Sequence, residues 1–334
     1  MKRITLCHAP TPIWHNTRLD ALLGFELWVK RDDMSSGAAA GNKIRKLEYL
    51  LADALAHGAT CVVTCGGAQS NHARATAITA AELGLRSLLL LRTPEPATPP
   101  PASGNLLLDR MVGAELRFIT PEQYRDRARH LAAASEELLR RGEVPYVIPE
   151  GGSNGLGAFG YVSALEELAD QQTQGELPED IDVLGVACGS GGTAAGVALG
   201  LGRFPGVAAR AAAFAVCDDR DYFEQAVAGI VREARELDPS LPAAGLLDLY
   251  DEFKGPAYGV PSSEQLSFML EVARCSGLIL DPVYTGKALF GLARLAPRPR
   301  RALFVHTGGL PGLLADPELM AAASPPDAGG SAPA

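Results

Sequence analysis

Two buried strands joined by a helix are predicted by residues 59–92, which read ATCVVTCGGAQSNHARATAITAAELGLRSLLLLR. The apolar runs at 59–65 and 86–92 have the length and composition of buried strands. Residues 72–83 between them are rich in alanine and end at Gly84, as helices often do. A strand, a helix and a second strand at this spacing form a unit in which the two strands run parallel.

The same alternation continues along the chain. Further strands are predicted at 182–187, 210–217 and 301–309, with one helix beginning near Thr193 and an amphipathic helix at 43–58. The sequence therefore predicts an α/β protein with mostly parallel, twisted sheets flanked by helices.

The composition is that of a folded, acidic protein. Of its 334 residues, 47% are hydrophobic, and 30 basic against 39 acidic residues give a formal charge of −9. Net negative charge argues against nucleic acid or an anionic membrane as a partner. No apolar run approaches the roughly 18–20 residues that span a bilayer, and the N-terminus lacks the apolar segment of a secretory signal, so a cytoplasmic location is expected. The six cysteines form no C-x-x-C pair, which argues against a zinc site or a disulfide framework.

The motif AAAGNKIRKLEYL (38–50) places Lys43 at a helix start, after a loop of small residues that can approach a ligand closely. The helix N-terminus and the neighbouring Arg45 and Lys46 are positive, and positive surroundings favour the neutral amine of a lysine. A neutral amine is the nucleophile that Schiff-base chemistry needs. The alternative is a surface lysine in a basic first turn.

A second motif, TCGGAQSNHARATA (64–77), lies where a predicted strand turns into a helix. Ser70 or Asn71 can cap this helix, and the uncovered amides of its first turn form an anion site suited to a substrate carboxylate. The side chains of Ser70, Asn71 and His72 can donate or relay protons. Ordinary capping, with His72 on the surface, is the alternative.

A third motif, ACGSGGTAAG (187–196), again lies between a strand and a helix. Its small residues, with the hydroxyls of Ser190 and Thr193, are typical of a phosphate-binding loop. The spacing also overlaps the dinucleotide fingerprint, with Asp218 after the next strand, so an NAD-dependent oxidoreductase is an alternative. That alternative gives Lys43 no role.

Two tyrosines and two threonines lie in turn-forming segments of the C-terminal third. Tyr258 in GPAYGVP and Tyr284 in LDPVYTGKALFGL offer phenol groups beside glycine and proline. Thr285 directly precedes a predicted helix, and Thr307 in FVHTGGLP precedes a Gly–Gly turn. Each of these segments alone is explained by turn formation.

Together the motifs resemble the pyridoxal-phosphate (PLP) enzymes of the D-cysteine desulfhydrase and 1-aminocyclopropane-1-carboxylate (ACC) deaminase family. The likeness runs in order over nearly the whole chain and also includes LWVKRDDMSSGAAAGNKIRKLEYL, GNLLLDRMVGAEL (104–116) and YVIPEGGSNGLGAFGYV (146–162). It implies the tryptophan synthase β-like fold, fold type II, with PLP between a large and a small domain. It also implies a homodimer.

Domain bounds follow from the Pro- and Gly-rich clusters and from this resemblance. We expect the large PLP-binding domain at 1–46 and 155–322, and the small domain at 47–154 as a segment inserted within it. The tail at 323–334, which reads ASPPDAGGSAPA, is expected to be disordered.

The resemblance also assigns roles to single residues that lie in matching motifs. Lys43 is similar to the lysine that links covalently to PLP, and Asn71 to the partner of the cofactor's 3′-oxygen. The other assignments are a phosphate loop (Ser190, Gly191, Gly192 and Thr193), catalytic groups (Lys43, Ser70, Tyr258 and Tyr284), substrate-binding residues (Ser70, Asn71, His72 and Thr307) and Thr285 facing the pyridine nitrogen.

Thr285 and Thr307 distinguish the activities within the family. The resemblance implies that ACC deaminases carry a glutamate and a leucine at these two positions. The D-cysteine desulfhydrase branch is similar to this chain in carrying threonines at both. Beside a neutral hydroxyl, the pyridine ring of PLP accepts electrons less strongly than it does beside a carboxylate. The weaker electron acceptor is still sufficient for loss of a thiolate. The resemblance thus implies conversion of D-cysteine to pyruvate, ammonia and hydrogen sulfide. The alternatives are a lyase acting on cysteate or another β-substituted alanine, an ACC deaminase, and a non-catalytic metabolite-binding protein.

Overall fold

In the computed structural model, which describes residues 1–316 and Leu319, the chain forms two sheets flanked by helices. The strands are β1 (Ile13–His15), β2 (Glu26–Lys30), β3 (Cys61–Gly67), β4 (Arg86–Arg92), β5 (Glu115–Ile119), β6 (Pro145–Val147), β7 (Val183–Cys188), β8 (Ala211–Ala215), β9 (Leu247–Tyr250) and β10 (Arg301–Val305). The helices are α1 (Thr17–Leu23), α2 (Lys43–Ala56), α3 (Asn71–Glu82), α4 (Gly104–Met111), α5 (Pro121–Arg125), α6 (Arg127–Arg140), α7 (Gly155–Thr173), α8 (Gly192–Arg203), α9 (Arg220–Leu237), α10 (Ser263–Ser276), α11 (Thr285–Leu292) and α12 (Leu310–Leu314).

Both sheets are mainly parallel. The six-stranded sheet has the order β1-β2-β10-β7-β8-β9, in which β1 alone runs antiparallel to its neighbour. The four-stranded sheet has the order β5-β4-β3-β6 and is parallel throughout. This confirms the predicted α/β class with mostly parallel sheets flanked by helices.

The elements predicted from apolar runs form close to their predicted bounds. Strand β4 coincides with the predicted 86–92, and β3 and β7 begin within two residues of their predictions. The helix predicted at 43–58 ends at Ala56, and Gly58 then takes a left-handed φ of 68° that reverses the chain. The strand predicted at 301–309 ends at Val305, because Gly308 and Gly309 also have positive φ angles and begin a turn.

The four-stranded sheet comes from an internal part of the chain. Its strands lie between residues 61 and 147, whereas the strands of the larger sheet lie before and after that stretch. The predicted boundary after residue 46 falls inside α2, so the domain bounds stay a prediction. The predicted disordered tail at 323–334 lies outside the described residues.

The glycine-rich motifs lie at equivalent positions of the two sheets. Strand β3 ends at the 64–77 motif and β7 ends at the 187–196 motif, each followed by a helix. Ligands of open α/β sheets bind at the carboxyl ends of parallel strands. Both loops therefore lie where the fold places a ligand site.

Membrane-spanning helices and metal clusters are both absent from the described part of the chain. Within residues 1–316 and Leu319, no helix is long and apolar enough to cross a membrane. Within the same residues, no cluster of three or more His, Cys, Asp or Glu side chains could hold a metal ion.

Candidate active site

A cavity of about 960 Å³ is lined by loops that follow strands of both sheets. Ten of the twelve residues assigned from sequence line this cavity: Lys43, Ser70, Asn71, His72, Ser190, Gly191, Thr193, Tyr258, Tyr284 and Thr307. Gly192 and Thr285 do not line it. The structure therefore brings together segments that are far apart in the sequence.

Lys43 is the first residue of α2, and its side chain lines the cavity. Burial lowers its pKa to about 8, and the nearby Glu150 carboxylate opposes that shift. Arg45, which the sequence suggested as a positive neighbour, points elsewhere: its guanidinium pairs with Asp32 at 2.7 Å and with Glu167 at 2.9 Å. Burial rather than Arg45 thus makes the Lys43 amine easier to deprotonate.

The first turn of α3 presents free backbone amides to the cavity. The Ser70 hydroxyl accepts a hydrogen bond from the N–H of Ala73 at 3.1 Å, which confirms Ser70 as the helix cap. The N–H groups of Asn71 and His72 have no acceptor among the described residues. These amides, at the positive end of a 12-residue helix, suit a carboxylate.

The ring of His72 is buried and hydrogen-bonded rather than exposed. Thr64 donates its single hydroxyl hydrogen to the Ile148 carbonyl at 2.8 Å, so it accepts from His72 Nε2 at 2.9 Å. His72 Nδ1 is then the unprotonated nitrogen of the neutral ring. Burial and the charges of Lys43 and Lys46 hold the pKa of His72 well below its usual value, which keeps the ring neutral.

The 187–196 loop forms a tight cradle before α8. Gly191 has a φ of 81°, which side-chain-bearing residues rarely adopt. The Ser190 hydroxyl lies 2.8 Å from the Ser153 hydroxyl, which also accepts from the N–H of Gly192 at 3.3 Å. A Cβ atom at Gly192 would lie 2.5 Å from Ser153 Oγ, so only glycine fits there. Ser153 lies in the 146–162 motif, and no sequence pattern indicates a role for it.

Two phenol groups meet at another wall of the cavity. The hydroxyls of Tyr258 and Tyr284 are 2.6 Å apart, and burial raises the pKa of Tyr284 well above its usual value. The loop that carries Tyr258 is held by Lys287, whose ammonium donates to the carbonyls of Lys254 at 2.6 Å and Ala257 at 2.8 Å. Sequence reasoning missed Lys287, because nothing in the pattern shows that a lysine is buried.

Comparison with known proteins settles the family. Residues 4–308 match the model of a family described as "Pyridoxal-phosphate dependent enzyme". The chain belongs to this PLP-dependent family. PLP is therefore its cofactor, and the NAD-dependent alternative based on the 187–196 loop is set aside.

Similar proteins cover most of the chain. The bifunctional D-cysteine desulfhydrase/1-aminocyclopropane-1-carboxylate deaminase, mitochondrial, of Arabidopsis thaliana is 43% identical over 92% of this chain and 78% of its own length. A D-cysteine desulfhydrase of Klebsiella pneumoniae is 39% identical over 94% of this chain and 95% of its own. The crystal structure of an ACC deaminase homologue superposes with a TM-score of 0.87 at 35% identity, covering 97% of each chain. These likenesses confirm the predicted fold type II.

The surroundings of Lys46 indicate that the site fits PLP. Its side chain is buried, and its ammonium donates only to neutral groups, the Gly151 carbonyl at 3.2 Å and Ser153 Oγ at 3.3 Å. A Cβ atom at Gly192 would lie 2.8 Å from Lys46 Nζ, so the ammonium borders the cradle. Burial and the charge of Lys43 lower the pKa of Lys46 strongly. A buried cation without a carboxylate partner is costly, and the phosphate of PLP would supply the missing negative charge.

The spacing of the two lysines gave a signal for this role. Lys43 and Lys46 are three residues apart on α2, so they share one face of the helix. From sequence, Lys46 is expected only as a positive neighbour of Lys43. If Lys43 is the attachment lysine that the resemblance implies, a lysine on the same helix face is reason to expect a second ligand of the same PLP molecule.

The two threonines that distinguish the family's activities are placed differently. Thr307 lines the cavity, as expected of a substrate-binding residue. Thr285 is fully buried behind the wall, where its hydroxyl donates to the Asp281 carboxylate at 2.6 Å and accepts from the Asp281 N–H at 2.7 Å. Since its one hydrogen is used, the Thr285 hydroxyl cannot donate to a ring nitrogen. That it faces the pyridine nitrogen stays a prediction.

Proposed function

We propose that this protein catalyses PLP-dependent β-elimination, converting D-cysteine and water to pyruvate, ammonia and hydrogen sulfide. The observation that carries the proposal is the Lys43 amine, whose pKa is lowered to about 8, in one cavity with the glycine cradle and the Tyr258–Tyr284 pair. The names of the Arabidopsis and Klebsiella relatives support the same substrate.

Each group of this chain has a task in that reaction. PLP, when bound, supplies a conjugated ring that accepts the electron pair released at the substrate's α-carbon. Lys43 is the amine for covalent attachment and the base for the α-proton, since its lowered pKa leaves much of it neutral near pH 8. The backbone N–H groups of Asn71 and His72, which have no other acceptor among the described residues, bind the substrate carboxylate. The cradle at 190–193, with Lys46 beside it, would hold the phosphate of PLP.

The tyrosine pair is suited to protonate the departing sulfur. The hydroxyl oxygens of Tyr258 and Tyr284 are 2.6 Å apart, so one hydroxyl donates its hydrogen to the other. The hydrogen of the accepting hydroxyl is not used within the pair. Burial keeps Tyr284 protonated by raising its pKa. We therefore assign this free hydrogen to the thiolate that leaves the β-carbon.

ACC deamination is the second candidate. The Arabidopsis relative is named for both activities, and the similar crystal structure is described as an ACC deaminase homologue. Thr285 weighs against this candidate, because a hydroxyl stands where the resemblance places a glutamate in ACC deaminases. Thr307 adds a hydroxyl at the cavity wall that can bond a polar substrate group.

A substrate panel with a lysine variant tests the proposal. Purified holoenzyme is incubated with D-cysteine, L-cysteine, cysteate, β-chloroalanine and ACC, and pyruvate, 2-oxobutyrate and sulfide are measured. We expect sulfide and pyruvate from D-cysteine at the highest kcat/KM. Lys43→Ala should abolish sulfide release and the visible absorbance of bound cofactor, because no amine remains for attachment.

Borohydride reduction provides the control for this test. Reduction of the native holoenzyme should leave a PLP adduct on the peptide that contains Lys43, and Lys2→Ala, at an exposed lysine, should change neither adduct nor turnover. Full turnover by Lys43→Ala would contradict the proposal, and 2-oxobutyrate from ACC at a higher kcat/KM than sulfide from D-cysteine would replace it with the second candidate. A homodimer and a cytoplasmic location stay predictions, and the Arabidopsis relative is named as mitochondrial.

A further inference from the structure

The motif GNLLLDRMVGAEL (104–116) has no role in the function described so far. Its second residue, Asn105, lies in the first turn of α4 and is fully buried. The Asn105 side chain contacts the loop between β3 and α3, which carries Asn71 into the cavity. A residue outside the cavity lining is thus hydrogen-bonded to a cavity residue.

Hydrogen-bonding partners fix the orientation of the Asn105 amide. Asn105 Nδ2 lies 2.9 Å from the backbone carbonyl oxygen of Gln69. A carbonyl oxygen only accepts, so the Asn105 atom facing it must be the NH₂ group rather than the side-chain oxygen. The second hydrogen of the same Nδ2 points to Asn71 Oδ1 at 3.0 Å.

The orientation of Asn71 follows from that of Asn105. Because Asn105 presents an N–H, the Asn71 atom that faces it must be the acceptor Oδ1. The polar atom of Asn71 left for the cavity is then Nδ2, which has no partner among residues 1–316. Without Asn105 the Asn71 amide would be free to turn by 180° and present its oxygen instead.

A second pair of hydrogen bonds holds Asn105 itself in place. Gln69 Oε1 accepts from the backbone N–H of Asn105 at 2.9 Å, and Gln69 Nε2 donates to the Ser103 carbonyl at 3.0 Å. Gly104 allows this close approach, since a Cβ atom there would lie 2.8 Å from Gln69 Oε1. The start of α4 is therefore clamped to the loop that leads into α3.

We propose that Asn105 is a positioning residue that fixes the Asn71 amide with its N–H groups toward the cofactor's 3′-oxygen. The inference rests on the proposed function, in which Asn71 is the partner of that oxygen. An N–H donor stabilises negative charge on the 3′-oxygen, and an amide oxygen in its place repels it. Asn105 thus sets the charge of the cofactor without touching it.

Loss of the Asn71 donor should raise the pH at which the bound cofactor titrates. Without that donor more negative charge stays on the 3′-oxygen, which makes the nearby nitrogen of the Lys43 linkage more basic. The visible absorbance band of the bound cofactor then titrates at a higher pH. Loss of one hydrogen bond to a charged group corresponds to a rise of about one pH unit.

The test is a double-mutant cycle on the holoenzyme, read by the titration midpoint of the visible band. Asn105→Asp places a carboxylate that can only accept, so the Asn71 amide turns to donate to it and presents Oδ1 to the cofactor. We expect Asn105→Asp and Asn71→Ala each to raise the midpoint by about one unit. In the double variant we expect no further rise, because the Asn105 effect passes through Asn71.

Two further variants separate orientation from stability. Asn105→Ala removes the donor without a buried charge and keeps the test available if Asn105→Asp does not fold. Leu106→Val, at the next, fully buried position of α4, lowers the melting temperature without touching Asn71 and should leave the midpoint unchanged.

The outcomes distinguish this inference from the proposed function. A midpoint that rises in Asn71→Ala but not in either Asn105 variant overturns the positioning role. So does a shift from Asn105 that adds in full to that of Asn71→Ala. If borohydride reduction yields no PLP adduct on Lys43, the proposed function itself fails. If the adduct is on Lys43 and the Asn105 variants leave the titration midpoint unchanged, only the positioning role of Asn105 fails.

Discussion

At the scale of single residues, two lysines on one turn of α2 have different surroundings. The Lys43 side chain lines the cavity near the Glu150 carboxylate, whereas Lys46 donates to Gly151 and Ser153 at the cradle. Burial lowers the pKa of both. The sequence located Lys43, because a lysine after a small-residue loop at a helix start is an unusual pattern. It could not show that Lys46 is buried without a counter-ion, since a basic first turn is normally solvated.

Lys46→Met should affect the apoenzyme and the cofactor in opposite directions. Burial disfavours the ammonium form of Lys46, so removing this amine should raise the melting temperature of the apoenzyme. The loss of a charge-assisted hydrogen bond of about 1.5–3 kcal/mol should weaken PLP binding roughly 10- to 100-fold. Apoenzyme melting and a PLP titration followed by absorbance measure the two effects.

The exposed Lys2 provides the matched control, and Lys2→Met should change neither quantity. An apoenzyme that loses stability in Lys46→Met, with PLP affinity intact, would show that Lys46 is an ordinary structural lysine. The phosphate-binding role would then have to be given up.

At the scale of elements, glycines let three helices pack closely around the site. A Cβ atom at Gly160 of α7 would lie 2.4 Å from the backbone of Arg45 in α2, and one at Gly196 of α8 would lie 2.4 Å from the Ala158 carbonyl in α7. Helix α2 begins with Lys43, so this packing positions the amine that we propose for PLP attachment. The motif at 146–162 contained Gly160, but its purpose could not be read from the sequence, because the contact is with a helix far away in the chain.

Gly160→Ala should destabilise the protein and weaken its hold on PLP. Alanine favours a helix by about 1 kcal/mol over glycine, but the added methyl group meets backbone that cannot rotate away. Overpacking of this kind costs about 1–3 kcal/mol, so we expect a net loss of stability and a displaced α2. Urea unfolding and the visible absorbance of bound PLP measure the two effects.

Gly206→Ala is the control for this substitution. Gly206 is exposed, has no positive φ, and has no atom within 4 Å of the place that an added methyl group would take. Its substitution should be neutral or slightly stabilising. Unchanged PLP loading and stability in Gly160→Ala would mean that α2 and α7 can move apart freely.

At the scale of the whole molecule, the cavity joins two parts of the chain that the sequence could only describe separately. Strand–helix periodicity predicted the mostly parallel α/β class, and the order of the motifs predicted the PLP-dependent family. The strand order was not predictable, because β10 lies between β2 and β7 only through contacts made in the folded state. The rim of the cavity was missed for the same reason. Arg92, at the end of a strand, has the sequence signature of a solvated residue, yet it stacks between two tyrosines.

Arg92 connects the two sheets across the cavity mouth. It ends β4 of the smaller sheet, and its guanidinium lies 4.8 Å from the ring centre of Tyr124 and 5.7 Å from that of Tyr258. Tyr258 belongs to the loop between β9 and α10 on the other side of the cavity. Cation–π contacts of this kind contribute about 0.5–2 kcal/mol. The contact therefore helps to hold the tyrosine pair over the site.

Arg92→Ala should loosen the Tyr258 loop and lower kcat/KM for sulfide release about tenfold, as expected from loss of a contact of roughly 1.4 kcal/mol. Hydrogen exchange at residues 254–260 should become faster, because one side of the loop loses its contact. Arg86→Ala is the matched control, since Arg86 begins the same strand and pairs with Glu143 at the surface. If exchange at 254–260 and kcat/KM stay at the level of Arg86→Ala, Arg92 does not hold the loop, and the contacts with Lys287 and Tyr284 account for its position.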